Sequence, residues 1–266
     1  MEITSLFFFL VPLFFPLHLS PTTSAASFAA PYSSHCHDYE SSALWLFKES
    51  FTIDTSASSH PEASPKVESW HLQEGGGGDC CSWDGVECDN ITGHVIGLDL
   101  RSSGLSGYID SHNSLFQLIH LQYLNLADND FLESPIPSGL GHLSKLTHLN
   151  LSFSGFSGQI PSNISDLIHL LSLDLSENDN LILKNSDFNT LVKNLVSLEV
   201  LHLDYVDISS EVPHIFANSP SLTSLSLVSC RLRGEFPTGI LQLPTLEVLY
   251  LDDNENLRAA TFFRKS

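Results

Sequence analysis

Positive charge is what this 266-residue chain has least of: 11 Lys and Arg stand against 31 Asp and Glu, a formal net charge of −20. That balance argues against a nucleic-acid partner, because phosphates need cationic side chains to neutralise them. It offers solubility and a preference for basic partners instead. Long apolar runs are also scarce. The longest, Leu6 to Leu19 (LFFFLVPLFFPLHL), is too short and too interrupted by Pro12 and Pro16 to cross a bilayer, so no transmembrane segment is expected in this chain. Catalytic signatures are missing: there is no G-x-S-x-G, no H-E-x-x-H and no C-x-x-C pair at zinc spacing. The four glycines Gly75 to Gly78 lack the GK[ST] ending of a phosphate loop and read as a flexible insertion. The expectation is therefore no enzyme, no cofactor and no metal.

Histidine and leucine are what the chain has in quantity. With 13 His, an acidic medium of about pH 5.5 would leave it far less negative, since free imidazole titrates near pH 6.5. His120, His142 and His169 flank the leucine motifs on turns and are expected to be solvated. The leucines recur in pairs with strand period: Leu98/Leu100, Leu124/Leu126, Leu149/Leu151, Leu173/Leu175, Leu201/Leu203, Leu225/Leu227 and Leu249/Leu251. Successive pairs start 26, 25, 24, 28, 24 and 24 residues apart. One such unit cannot enclose its own leucines, but stacked units bury a continuous core, so the pattern predicts a solenoid.

Two further patterns ride on the leucines. A polar position comes after each strand, with Asn129, Asn178, Cys230 and Asn254 among them, where a buried side chain can bond the backbone of the turn. Beyond it, Leu105-x-Gly107-x-Ile109, Phe156-x-Gly158-x-Ile160-Pro161 and Leu232-x-Gly234-x-Phe236-Pro237 predict a tight bend and a short extended run ended by proline. In the fourth repeat Ile182 to Asn194 replaces that run, which predicts a bulge or an extra helical turn. LxxLxLxxNxLxGxIP resembles the plant-type leucine-rich repeat. The resemblance implies an α/β solenoid: a right-handed leucine-rich-repeat superhelix with a disulfide-bonded N-terminal cap.

The N-terminal third completes this picture. The apolar run followed by Ser24-Ala25-Ala26 and Ser27-Phe28-Ala29 reads as a secretory signal peptide over residues 1–29, although its start carries Glu2 and no Lys or Arg. Asp38 is the expected N-cap of a helix over Tyr39 to Phe51, with Leu44, Phe47 and Phe51 on one face. His35-Cys36-His37-Asp38 holds zinc-ligand residue types, but neighbours at this spacing do not complete a site, and none is assigned. Residues 54–66 are rich in Ser, Ala and Pro and read as a loop. The run Cys80-Cys81-Ser82-Trp83-Asp84-Gly85-Val86-Glu87-Cys88 resembles the N-terminal cap of plant leucine-rich-repeat ectodomains, placed at residues 30–92. A cap covers the first repeat's leucines and strand edge, and disulfides stabilise so small a unit. Four cysteines allow three pairings and spacing does not choose among them; the resemblance implies Cys36–Cys80 and Cys81–Cys88. Cys230 is left as a buried reduced thiol. Such bridges need an oxidising compartment, so the chain is expected in the secretory pathway and extracellular, or, as the resemblance implies, on the outer face of the plasma membrane if a longer form carries that family's membrane span. Sequons stand at Asn90, Asn150 and Asn163, the last expected to face outward.

About seven repeats fill residues 93–257, and a tail without repeat pattern occupies 258–266. The whole resembles the N-terminal part of the ectodomain of plant receptor-like proteins, cut short. That family binds extracellular ligands and signals through partner kinases. The resemblance implies a peptide, protein or oligosaccharide ligand on the concave face, with a co-receptor kinase as a further partner. Side chains flanking the strand leucines are not required by the leucine core and are the candidate ligand contacts: Tyr123, Asn125, His148, Asp174, His202, Asp204, Tyr250 and Asp252, with the last three strands as the expected groove. A secreted inhibitor resembling polygalacturonase-inhibiting proteins and an inert truncated product are the alternatives.

Overall fold

A computed structural model describes residues 35–60, 63–72 and 78–258; the signal-peptide expectation, Gly75 to Gly77 and residues 259–266 lie outside them. One eight-stranded sheet organises the described chain. Its strands are β1 (Val86–Cys88), β2 (Val95–Asp99), β3 (Tyr123–Asn125), β4 (His148–Asn150), β5 (Ser172–Asp174), β6 (Val200–His202), β7 (Ser224–Ser226) and β8 (Val248–Tyr250). They lie side by side in chain order. β1 is antiparallel to β2, and every later pair is parallel. The register has no offset: Leu98, Leu124, Leu149, Leu173, Leu201, Leu225 and Leu249 are successive partners. The first six are buried and Leu249, on the last strand, is half-buried. The leucine period thus becomes one hydrophobic ladder, as a solenoid requires.

The segments leading out of each strand build the convex side. Short parallel pairs join Ser157–Gln159 to Asn180–Ile182 and Arg233–Glu235 to Asn256–Arg258. Arg258 therefore belongs to a strand rather than to the expected tail. Gly158 takes φ +75° and Gly234 φ +81°, the left-handed conformation that a Cβ disfavours. Pro137, Pro161, Pro213 and Pro237 then precede 3-10 turns, each with φ near the value its ring imposes. In the fourth repeat the extra residues form a full helix, Asn185–Asn194, which buries Phe188, Leu191 and Val192. This is the extra helical turn the long repeat predicted.

Buried amides close the turns. Asn178 Oδ1 accepts from the N–H of Ser154 (3.2 Å) and Phe156 (2.9 Å) in the preceding repeat. Its Nδ2 donates to the carbonyls of Leu151, Leu175 and Ser176. Asn129 and Asn254 repeat the arrangement. Ser154 and Cys230 hold the same ladder position, each donating to two carbonyls. Burial pushes the Cys230 thiol far up, so it stays protonated and serves as a donor.

At the N-terminus the helix Asp38–Lys48 packs Ala43, Leu44 and Phe47 inward. Its cap is His37, not Asp38: the cap side chain accepts no bond from the first-turn N–H groups, and Asp38 is the first helical residue. Phe51 lies past the helix end, its ring 4.9 Å from Phe47 in a T-shaped contact. Trp70 is fully buried, stacks on Trp83 at 5.2 Å and donates its indole N–H to the Asp84 carbonyl. Cys36 pairs with Cys80 and Cys81 with Cys88. Among the described residues no helix is long and apolar enough to cross a membrane.

Candidate functional site

The sheet presents its non-leucine side chains in rows, one residue per repeat, spaced by the roughly 4.8 Å between strands. In the row between the two leucines of each pair, Asn125, Asn150 and Asp174 are not free, contrary to expectation. Asn125 Oδ1 accepts from the Ala127 N–H at 3.1 Å, Asn150 Oδ1 from Ser152 at 2.9 Å and Asp174 Oδ1 from Ser176 at 3.0 Å. Each side chain bonds the amide two residues on, the local turn that Asn and Asp favour. Asp204, in the next row, is also committed: it accepts from the Ser226 hydroxyl at 2.6 and 2.8 Å and from the Val228 N–H at 2.7 Å. His202 Nε2 lies 2.8 Å from Ser224 Oγ. These groups hold the sheet, so only part of each is left to meet a ligand.

The side chains that serve no backbone amide include Tyr250 of this same row. Tyr123 is 37% exposed and Tyr250 55%, and His148 and Asp252 are exposed. The Tyr123 and His148 rings lie 6.0 Å apart, and Asn125 Nδ2 donates to the Tyr123 hydroxyl at 3.2 Å. Tyr123, Asn125 and His148 therefore form one patch on β3 and β4. Tyr250 and Asp252 stand at the other end, on β8 and just beyond it. Asp174 and His202 are register partners on β5 and β6. The eight expected residues are thus spread along β3 to β8 and the turns just beyond β6 and β8.

Recesses occur at the N-terminal end, where sequence reasoning did not place them. A cavity of about 320 Å³ is lined by Gly85, Glu87, Gly97, Asp99 and Tyr123 among others. A second of about 310 Å³ shares Asp99 and adds His60, Lys66, Arg101 and Ser102. The cap loop makes this second recess by folding against the strand ends. Lys66 Nζ donates to the Asp99 carbonyl at 2.9 Å and lies 3.3 Å from its carboxylate. Asp128 anchors the same loop, accepting from the hydroxyls of Ser58, Ser59 and Ser102 and from the Ser59 N–H. Burial alone would raise the Asp128 pKa, but these donors hold it well below the carboxylate range. Nothing in the Ser- and Pro-rich loop sequence signals its docking onto Asp128, which stands in a left-handed turn at φ +55°.

Charge divides the surface. Lys66 and Arg101 serve the N-terminal recess, while the middle is acidic. Burial raises the Glu177 pKa, and the carboxylates of Asp179, Asp204 and Asp174 raise it further. Two sequons are constrained. Asn163 is half-buried and turns inward, its Nδ2 donating to the Ser138 carbonyl, so the atom a glycan would occupy is engaged. Asn150 is half-buried on β4. Asn90 is exposed on a turn. Nor is His120 solvated filler: it is half-buried, stacked on His94 at 3.7 Å, and its Nδ1 accepts from Lys145 at 2.9 Å. Burial, then His94 and Lys145, lower its pKa.

Comparison with known proteins agrees with the fold. Residues 37–89 match the Leucine rich repeat N-terminal domain family, and residues 120–143 and 145–167 match the Leucine Rich Repeat family. Receptor-like protein 6 of Arabidopsis thaliana is 39% identical over 258 residues, covering 92% of this chain and 26% of that protein. Receptor-like protein 9DC1 of Solanum pimpinellifolium is 40% identical over 253 residues, covering 92% of this chain and 28% of that protein. The crystal structure of a Pollen Receptor Kinase 3 superposes with a TM-score of 0.66 at 26% identity, covering 84% of this chain and 98% of that one. The chain spans about a quarter of the length of the curated relatives it matches.

Proposed function

The chain belongs to the plant leucine-rich-repeat receptor-like proteins, and on that premise we propose that its concave sheet is an extracellular recognition surface for a peptide, protein or oligosaccharide. One observation carries this reading: exposed aromatic and polar side chains on the sheet, Tyr123, His148 and Tyr250, serve no backbone amide and no core contact of the ladder. Tyrosine combines a large contact area with a polar tip and is a common anchor in interfaces. The Tyr123–His148 patch adjoins the recess at Glu87 and Asp99, and this end of the sheet is the principal contact region. His202, Asp204, Tyr250 and Asp252 form a secondary region, in which Asp204 also acts as a structural residue.

The disulfides fit an oxidising compartment, so the chain is assigned to the secretory pathway, with a signal peptide over residues 1–29. The outer face of the plasma membrane is the location that suits a receptor-like protein, and a co-receptor kinase is the partner that would carry the signal inward. Of the sequons, Asn90 is the one whose exposure suits a glycan. The test is a peptide and cell-wall oligosaccharide array probed with the secreted chain. Any ligand found is retested against Tyr123→Ala, His148→Ala and Tyr250→Ala, with Ile168→Ala, an exposed apolar residue outside these strands, as a control. Affinity lost at Tyr123 and His148 but not at Ile168 supports the reading. Affinity that depends on Ile168 and ignores both patches refutes it.

A further inference from the structure

We propose that His37, Glu40 and His94 form a binding site for a divalent transition-metal ion of the zinc class, at the joint between the cap helix and the first repeat. One candidate ligand atom from each of the three residues lies within 4.8 Å of the other two. His94 Nδ1 stands 3.4 Å from Glu40 Oε1. That is long for a hydrogen bond. It is the separation of two ligands that each sit about 2.0–2.1 Å from a tetrahedral zinc.

The surroundings orient these groups as the outer shell of a metal site does. Glu40 is fully buried, and its Oε2 accepts from the Val95 N–H at 3.1 Å, leaving Oε1 directed at His94. His37 Nε2 lies 3.0 Å from the Thr92 carbonyl. A carbonyl only accepts, so Nε2 carries the hydrogen and the Nδ1 lone pair of the neutral ring is available. His94 is stacked on His37 at 4.1 Å and on His120 at 3.7 Å. The Tyr39 hydroxyl lies 3.3 Å from both Glu40 Oε1 and His94 Nδ1, with a single proton to offer the two of them. A buried carboxylate wants a cation, and an ion between Glu40 and the imidazoles supplies one.

Two costs oppose binding. The stacked rings of His37 and His94 must rotate to converge on one ion, which their partial exposure permits. The positive end of the cap helix repels a cation, but Asp38 and Glu40 put two negative charges into that same turn. Two imidazoles and one carboxylate match the preferences of zinc and its neighbours and leave a fourth position to water. The sequence alone hid the site because its ligands are not neighbours: Glu40 lies one helical turn beyond His37, and His94 arrives from the first repeat, 54 residues later than Glu40. The bound ion would tie the cap to the solenoid, a role separate from the concave face.

Calorimetric titration of zinc chloride into the secreted, untagged chain tests this, with cobalt(II) absorption reporting the ligand geometry. One saturable ion per chain and a raised melting temperature are expected. His37→Ala, His94→Ala and Glu40→Gln should each weaken binding by more than the roughly 10–100-fold that loss of an outer-shell partner costs. His169→Ala, an exposed histidine elsewhere, should change nothing. His37→Ala alters a half-buried cap residue and decides the matter even if the other two variants do not fold. No saturable binding at about 1 mM zinc, or binding that survives His37→Ala, or equal loss in His169→Ala, overturns the proposal.

Discussion

Asn178 carries a stability prediction that can be worked from its bonds. Replacing it with Ala orphans four buried backbone groups: the N–H of Ser154 and Phe156 and the carbonyls of Leu151 and Leu175. The Ser176 carbonyl keeps a partner in the Phe153 N–H. An unmade hydrogen bond on a buried group costs at least about 1 kcal/mol, so Asn178→Ala should cost about 4 kcal/mol. The chain contains its own control, because serine stands at this ladder position in the neighbouring repeat. Ser154 Oγ donates to the carbonyls of Leu126 and Ser152, as Asn Nδ2 does in its own repeat. Asn178→Ser should therefore recover the bond to the Leu151 carbonyl but not that to Leu175, and lose the two amide partners, a cost of about 3 kcal/mol. Urea unfolding of the disulfide-intact chain would read both as shifts in midpoint at constant slope. If serine proves no better than alanine, or if both variants lie within about 0.5 kcal/mol of the parent, the ladder does not work as described.

Three other perturbations test the same structure. Cys36–Cys80 closes a sequence separation of 44 and Cys81–Cys88 one of 7; on the chain-entropy account, paired Cys→Ser replacement should cost about 4 and about 2 kcal/mol respectively, measured by denaturant titration. Asp128 titrates below the usual carboxylate range in the fold, so its contribution is complete above the unfolded value of about 3.9 and fades as pH falls below it. The parent should therefore lose stability between about pH 5 and 1 more steeply than Asp128→Asn, and equal slopes would refute the anchoring role. Gly139 has no room for a side chain: an added Cβ would lie 2.2 Å from Phe116 Cδ2 and 2.5 Å from the Ser111 carbonyl. Gly139→Ala should cost about 1–3 kcal/mol by overpacking, and an unchanged melting temperature would show that the packing gives way freely.

What could be read from the sequence divides along a physical line. Burial of leucines is a periodic demand that each repeat states for itself, so Leu98 through Leu249 announced the strands, their register and their order. The long fourth repeat announced its helix for the same reason, since the extra residues had to be placed on the convex side. Surface use is different, because it depends on residues far apart in the chain. The docking of Ser58 and Ser59 on Asp128 spans 70 and 69 residues. The meeting of His37, Glu40 and His94 bridges the cap and the first repeat. Even the expected cap at Asp38 failed for a local reason that periodicity does not see: the chain enters the helix one residue earlier, at His37, without a side-chain bond.

The committed amides and carboxylates of the sheet restrict where specificity can reside. A strand this short leaves the amide two residues beyond its last residue without a ladder partner, and Asn125, Asn150 and Asp174 supply one. Their polarity is therefore fixed by the turn and varies little with any ligand. The row one step earlier has no such duty: it reads Gly97, Tyr123, His148, Ser172, Val200, Ser224 and Val248, and ranges from no side chain to a full aromatic ring. Exchanging Tyr123 and His148 for the residues of a relative should then change which ligand binds while leaving the melting temperature nearly unchanged, whereas the same exchange at Asn125 or Asp174 should lower the melting temperature by the loss of about one hydrogen bond, roughly 1 kcal/mol. A ligand preference that tracks Asn125 and Asp174 and ignores Tyr123 and His148 would mean that the turn-bonding row does the recognition after all.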